Sequence, residues 1–392
     1  MHKDILIDNK EEKALVADLK TRSDIKAERV KKVLALPDLS RTEGSPLKAI
    51  IDKVLAIEEF ADFDNVIIPE IIPTQILFDL FDFAEDHPAR SESDTYYVTK
   101  NNVLRTHDTV MWHYYLQHPE IQKKIATQES FGVFCYGKVY RKDEIDRTHM
   151  NVFHQFGGLY LTPDSKQVLT IEDLKNALSK IVTTIFGDDV KFRFNEDIFP
   201  YTDPSLEVEI DINGKWLELL GGGMPKKLVL KNFGVLGYNG WAFGFGLERL
   251  AIAKMEIPDI RIFWSDDPRI KEQLKNLENK YKEVSKYPAV VRDISFIINK
   301  DISLNNYYEL VQDVAENSSP VLNAQRSSTG VIEQVELVDE YENDEKFGPE
   351  KKSYTFRIIY RSLERTLTNE EVNVIHDVIV EKTKAELGAV VR

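Results

Sequence analysis

Phe131–Leu161 reads FGVFCYGKVYRKDEIDRTHMNVFHQFGGLYL, the pattern of two strands joined by a charged loop. Phe131–Arg141 and Met150–Leu161 are dense in aromatic and β-branched residues, which suit a pleated, half-buried surface. KDEIDRTHM between them has no apolar period. Strand alternation puts Arg141 and Asp143 on one face if the first strand runs that far, and Phe153 and Gln155 on one face of the return strand. With His149, a guanidinium, a carboxylate, a ring and an imidazole converge on one sheet surface. Such a set can hold a nucleotide, because arginine forks onto phosphate, a ring stacks on a base and an acid accepts from an exocyclic amine. A surface hairpin with a solvated tip satisfies the same pattern, and the hairpin alone leaves both readings open.

The surrounding chain of 392 residues, 42% hydrophobic and 30% charged, is long enough for two or three domains and a substantial core. A single cysteine, Cys135, excludes an internal disulfide framework and any cysteine-based zinc cluster. MHKDILIDNKEEKALVADLK at the N-terminus carries acids and lacks an apolar core segment, unlike a secretory signal or a basic transit peptide. No run of about 18 apolar residues is present to span a membrane. These features lead to the expectation of a cytoplasmic protein with no membrane partner. The net charge of −15 argues against indiscriminate nucleic-acid binding, so an RNA partner has to be met by local basic patches.

Residues 1–40 read as an acidic helical segment, with an apolar stripe at Ile25, Val30, Val33 and Leu34. Ser45–Phe60 is an amphipathic helix: a serine cap, proline in the first turn, and apolar residues at Leu47, Ile50, Ile51, Val54 and Leu55. A strand at Asn65–Ile68 stops at Pro69. His107, Asp108 and Thr109 precede the aromatic run MWHYYL, where a strand-to-helix turn can aim them at a ligand; a lone histidine there is more often structural. Thr170–Thr184 is a helix. Phe199, Pro200 and Tyr201 are core packing or a slot for a flat apolar side chain. Lys215–Leu220 is a strand broken by Gly221–Gly223, which permit a turn or a close approach to a ligand. Trp241–Met255 is a strand running into a helix. Its Gly244 and Gly246 lack the third glycine of a dinucleotide fingerprint, and Arg249 falls in the first helical turn, where free backbone donors favour phosphate.

From Tyr287 the rhythm becomes strand, helix, two strands, helix and a short closing strand, the order of a ferredoxin-like βαββαβ fold. Thr368 and Glu371 form a capping box for the last helix. This region holds 12 lysines and arginines against 19 acids, a net of −7. Lys351, Lys352, Arg357, Arg361 and Arg365 are nevertheless concentrated on one strand and its loop. They suit a guided phosphate contact or a salt-bridged surface.

Taken in order, these pieces resemble the single-chain phenylalanyl-tRNA synthetases, as found in mitochondria. Pro69 and Glu70 resemble the end of class II motif 1, VYRKDEIDRTHMNVFHQ motif 2, and AFGFGLERLAIAKMEIPDIR motif 3. DHPAR, LRTH, FPYTDPS, KWLELLGGGM and RTLTNEEVN also fit that family. The resemblance implies an α+β fold: an antiparallel class II sheet flanked by helices over residues 41–270, a linker at 271–286, and a ferredoxin-fold anticodon-binding domain at 287–392. It implies activation of phenylalanine by ATP with Mg²⁺, transfer to the 2′-hydroxyl of the terminal adenosine of tRNA(Phe), and a monomer working without a β subunit. By motif match, Arg141 holds the α-phosphate and the amino-acid carboxylate. Asp143 and Phe153 read and stack adenine, and His149 and Arg249 bind the outgoing phosphates. Phe199 and Tyr201 form the side-chain slot, with Ala242, Phe243 and Gly244 at its floor. His107, Thr109, Gln155 and Glu218 contact polar groups of the substrates, and Asp203 or Glu218 holds the metal. The C-terminal cations Lys351, Lys352, Arg357, Arg361 and Arg365 take tRNA. Gly157 departs from the pattern, since the bacterial-type family has a glutamate facing the substrate ammonium there. Either the acid has moved to Asp108 or amino-acid recognition has changed. A non-catalytic RNA-binding paralogue and a class II ligase with shifted specificity are the competing expectations.

Overall fold

The computed structural model describes residues 2–142, 147–212, 214–302, 304–317 and 331–392, in two compact units, Met1–Tyr281 and Lys282–Arg392. The first unit opens with strand β1 (Asp4–Leu6) and helices α1 (Lys10–Thr21), α2 (Ile25–Leu34) and α3 (Pro46–Leu55). Asn9 and Asp24 side chains cap α1 and α2. In α3 the Ser45 hydroxyl accepts from the Leu47 amide, Pro46 occupies the first turn, and Leu47, Ile50, Ile51 and Val54 are buried, the arrangement of a capped amphipathic helix. In the expected stripe on α2, Val30 and Val33 are buried but Ile25 is 72% exposed, because it starts the helix and points away from the packed face.

Strands β2 (Asp64–Ile67), β3 (Ile71–Pro73), β4 (Asn102–Leu104), β5 (Phe131–Tyr140), β6 (Val152–Pro163), β7 (Phe192–Asp197), β8 (Thr202–Ile212), β9 (Lys215–Pro225) and β10 (Tyr238–Gly246) follow. Seven of them join β1 in one eight-stranded sheet in the order β1-β2-β5-β6-β10-β9-β8-β7, while β3 and β4 pair separately. The run from β5 to β7 is antiparallel as expected. The sheet as a whole is mixed, because β1 lies parallel to β2 and β2 parallel to β5. Parallel pairing needs a long crossover, and the helical segments between these strands supply it. The sheet separates two cores. One holds α3, the helices Ile171–Phe186 and Leu247–Met255, and the aromatic rings of Phe134, Phe156, Phe243 and Phe245. The other holds Phe78, Phe81, Trp112, Tyr115 and Phe233.

The glycine triplet does not break β9, which runs through it to Pro225. A Cβ at Gly222 would sit 2.7 Å from the Ala242 carbonyl oxygen, one at Gly223 2.6 Å from Thr202, and one at Gly221 2.8 Å from the Phe199 ring. Close packing demands these glycines, not a turn. The expected linker begins inside the helix Pro268–Leu274, and Leu274 and Leu277 are buried in the first unit's core.

In the second unit, β11 (Val290–Asn299), β12 (Ile332–Tyr341), β13 (Lys351–Tyr360) and β14 (Val390–Val391) form a sheet in the order β12-β13-β11-β14, with helices Leu304–Asn317 and Asn369–Leu387. Among the described residues every pairing in this sheet is antiparallel. This is the split βαββαβ arrangement, and the Thr368–Glu371 capping box opens the last helix.

Candidate active site

The β5–β6 hairpin places the central side chains. Val139 pairs with Phe153, Gly137 with Gln155 and Cys135 with Gly157. Phe153, Gln155 and Gly157 therefore share one face, while His154 and Phe156 point into the opposite core. Arg141 continues β5 by one residue, its amide donating to the Asn151 carbonyl at 3.1 Å. Its Nε donates to the Thr106 carbonyl at 3.1 Å, and its guanidinium lies 5.2 Å from the centroid of the Phe153 ring. These residues line a cavity of about 660 Å³, together with His107, Asp108, Thr109, His149, Phe199, Tyr201, Glu218, Ala242, Gly244 and Arg249.

Asp108 and His107 come from a strand-to-helix turn, His107 extended and Asp108 opening a short 3-10 turn. Both are buried. Among the described residues, Asp108 Oδ2 and both His107 ring nitrogens have no hydrogen-bond partner. The Asp108 amide donates to Gln155 Oε1 at 3.0 Å. A Cβ at Gly157 would meet Asp108 Oδ2 at 2.1 Å, and one at Gly244 would meet Oδ1 at 3.5 Å. The carboxylate thus occupies the space that the missing side chain at Gly157 leaves. Burial pushes the Asp108 carboxyl up to about 7 against the pull of Arg105 and Arg141. Burial, with Arg141 beside it, takes His107 down to about 3, so its imidazole is neutral at ordinary pH.

At the apolar end, the Phe199 and Tyr201 rings stack at 6.2 Å and 14°. Tyr201 also meets Trp112 and Phe81 edge-on, at 5.9 and 5.7 Å. Ala242 borders this slot from β10. The Phe243 ring turns the other way, into the core against Phe156 and Phe245, since neighbours on a strand face opposite sides. At the polar end, Arg249 donates to Glu218 Oε1 at 3.2 Å. The residue before it, Glu248, is buried and accepts from the His154 amide at 2.9 Å and from His154 Nδ1 at 2.6 Å. His154 Nε2 accepts from the Leu39 amide at 2.9 Å. This bond fixes the tautomer with the proton on Nδ1. Sequence reading passed over Glu248 and His154, although each adjoins a residue it selected.

Asp143 lies outside the described residues. Asp203 is exposed at the start of β8 and does not line the cavity. Among the described residues no three His, Cys, Asp or Glu side chains gather as a metal site. Glu218 is the carboxylate at the polar end, which suits a Mg²⁺ carried mainly by substrate phosphates; Asp203 does not fit. On the C-terminal unit, four of the five selected cations are in ion pairs: Lys352 with Glu340, Arg357 with Asp293, Arg361 with Glu333 and Arg365 with Glu371.

Comparison with known proteins agrees with this arrangement. Residues 33–274 match the family described as tRNA synthetases class II core domain (F), and residues 285–392 the ferredoxin-fold anticodon binding domain. The chain is 35% identical to the chloroplastic/mitochondrial phenylalanine–tRNA ligase of Arabidopsis thaliana, over 85% of this chain and 73% of that one. It is 33% identical to the mitochondrial phenylalanine–tRNA ligase of Mus musculus, over 84% and 75%. It is 30% identical to the mitochondrial enzyme of Saccharomyces cerevisiae, over 88% and 87%. These relatives carry mitochondrial names, which overturns the expectation of a cytoplasmic protein. An acidic N-terminus was a poor guide to compartment. With a matching class II core, a matching anticodon-binding domain and relatives of this identity and coverage, the chain belongs to the class II aminoacyl-tRNA synthetases, in the phenylalanine–tRNA ligase family.

Proposed function

We propose that this chain is a mitochondrial-type enzyme that activates phenylalanine with ATP and transfers it to tRNA(Phe), as a single chain without a β subunit. One observation carries the choice of substrate. The slot walled by Phe199 and Tyr201 has a buried carboxylate, Asp108, whose Oδ2 has no hydrogen-bond partner among the described residues, seated against Gly157 beside Gln155. A flat apolar side chain fills the slot, and the α-ammonium answers the carboxylate, since a desolvated charge without a partner is costly.

Arg141 holds the substrate carboxylate against the α-phosphate and neutralises the charge that builds there during in-line displacement. Phe153 stacks the adenine. Arg249 and His149 take the outgoing pyrophosphate, with Glu218 holding Arg249 until phosphate displaces it. Glu218 would hold a Mg²⁺, which would supply further charge neutralisation for the phosphates. Catalysis is positioning and fixed positive charge, and needs no covalent enzyme intermediate. Glu248 and His154 position the helix that carries Arg249 and the strand that carries Phe153 and Gln155.

ATP–pyrophosphate exchange with each standard amino acid tests this reading. Phenylalanine should support exchange far above all others. Exchange with a different amino acid would redirect the specificity, and none at all would favour the non-catalytic paralogue. Charging of tRNA by the purified chain, with light scattering to size it, tests the single-chain part.

A further inference from the structure

A basic face at the rim of the cavity was not among the phosphate contacts chosen from the sequence. Residues 20–32 hold six lysines and arginines against two acids in a chain of net charge −15. α2 packs through Ala27, Val30 and Val33 onto Tyr96, Leu104, Tyr140 and Val152, the ends of the segments that frame the cavity. Its other face carries Lys26, Arg29 and Lys32. Lys26 pairs with Glu92 at 2.6 Å. Lys142, just past Arg141, bonds the Glu92 carbonyl through its ammonium, and its amide donates to the Asp94 carbonyl at 2.8 Å. Asp94 and Thr95 line the cavity. Burial lowers the Lys142 ammonium, Glu92 and Asp94 pull it back up, and Lys26 and Arg29 nearby lower it. Arg29 and Lys32 are exposed and carry no ion pair among the described residues. Lys26, Arg29 and Lys142 therefore gather beside Glu92 and Asp94, Lys32 lies further along the same helix, and Arg29 and Lys32 are unspent. That arrangement is costly without a polyanion and suits a phosphodiester backbone.

We propose that Lys26, Arg29, Lys32 and Lys142 grip the acceptor arm of the tRNA and deliver its 3′ end into the cavity. This rests on the reading of the chain as a tRNA-charging enzyme. The test is the full chain carrying Arg29→Glu and Lys32→Glu. Phenylalanine-dependent pyrophosphate exchange should stay within about twofold of the parent, since neither residue lines the cavity. The KM for tRNA should rise tenfold or more, and the slope of log affinity on log salt should flatten by about two, one counterion for each lost phosphate contact. Charging of a minihelix holding only the acceptor arm should fall as far. Lys175→Glu with Lys180→Glu, on the helix Ile171–Phe186, makes the same change in net charge and should have little effect.

An unchanged KM and slope would overturn the proposal, as would an equal loss from the Lys175/Lys180 control. Capture of the protein by anionic phospholipid vesicles through these residues, with tRNA charging untouched, would overturn it in favour of a membrane surface. A parent chain that exchanges pyrophosphate but charges no tRNA would bring down the functional reading and this proposal together.

Discussion

In the cavity, Asp108 Oδ2 and both ring nitrogens of His107 are buried and bond to nothing among the described residues. On the sheet of the C-terminal unit, Lys352, Arg357 and Arg361 are each tied to an acid of the same unit. The first region keeps polar groups unsatisfied at a cost in stability, and the second satisfies them at the surface. A buried group without a partner is expensive enough that a fold retains it only where something else gains. A surface ion pair costs and contributes little. Unspent polarity is therefore the better pointer to chemistry, and charge density alone is the poorer one.

The sharpest break in that comparison is removal of the cavity's cations. Arg141→Ala or Arg249→Ala should each lower phenylalanine-dependent pyrophosphate exchange by at least a hundredfold, about 3 kcal/mol of transition-state stabilisation. Near-normal exchange in both variants would mean that the cavity is not where the displacement occurs.

Next in size is the Asp108–Gly157 contact. Gly157→Ala puts a methyl where the carboxylate oxygen sits, and Asp108→Asn removes the charge. Each should raise the KM for phenylalanine about thirtyfold, the loss expected for one charge-assisted bond of about 2 kcal/mol, and leave the KM for ATP within about twofold. Equal effects on both substrates would place Asp108 in the scaffold. The same substitution bears on stability. The folded protein keeps the Asp108 proton to about pH 7, whereas the unfolded chain releases it near pH 4, so stability of the ligand-free protein falls as pH rises across that window. Three units at about 1.4 kcal/mol each make the penalty on the order of 4 kcal/mol above pH 7. Asp108→Asn should accordingly melt several degrees higher than the parent at pH 8, while binding phenylalanine less well. A variant that is both weaker and less stable would argue against this cost.

These contacts show which parts of the molecule were legible from the amino acids. Alternation and caps are local signals, and they located the β5–β6 hairpin, α3, the β10-to-helix junction and the βαββαβ order. They failed where an element depends on a distant partner. β1 is three residues long and exists through its parallel pairing with β2. The glycine triplet reads as a breaker until Ala242, Phe199 and Thr202 are seen pressing on it. In the site, residues with a motif around them were found together in one cavity. Asp203 was misplaced because an acid beside a proline carries no sign of which way it faces. His154 and Glu248 were invisible because their importance lies in bonding each other across 94 residues.

A smaller effect follows from the proton on Asp108. A substrate ammonium favours the charged carboxylate, so phenylalanine binding should release a proton below pH 7. The KM for phenylalanine should rise about tenfold between pH 7.5 and pH 6, with the KM for ATP nearly flat, because His107 is neutral throughout this range. Asp108→Asn should abolish the slope. A slope that survives the substitution would assign the titration to another group.

The smallest expected effect lies on the C-terminal sheet, where the paired cations leave the comparison least secure. Arg357 forks onto Asp293 through two bonds of 2.9 Å, and this pair holds β11 to β13 across the register Asp293↔Arg357. If the guanidinium serves tRNA, it must exchange this partner for phosphate, and the exchange subtracts from binding. Asp293→Asn would then free it: affinity for tRNA should improve two- to threefold at low salt, and the salt dependence should steepen by just under one counterion. If the arginine is scaffold, the same change should loosen the two strands and lower the melting temperature slightly, with affinity and salt slope unmoved. Arg357→Ala completes the cycle, since it should cancel any gain from Asp293→Asn only in the first case. Measuring tRNA affinity of the parent, the two single variants and the double variant over a range of salt thus tells whether a cation already paired within its own unit still belongs to the binding surface.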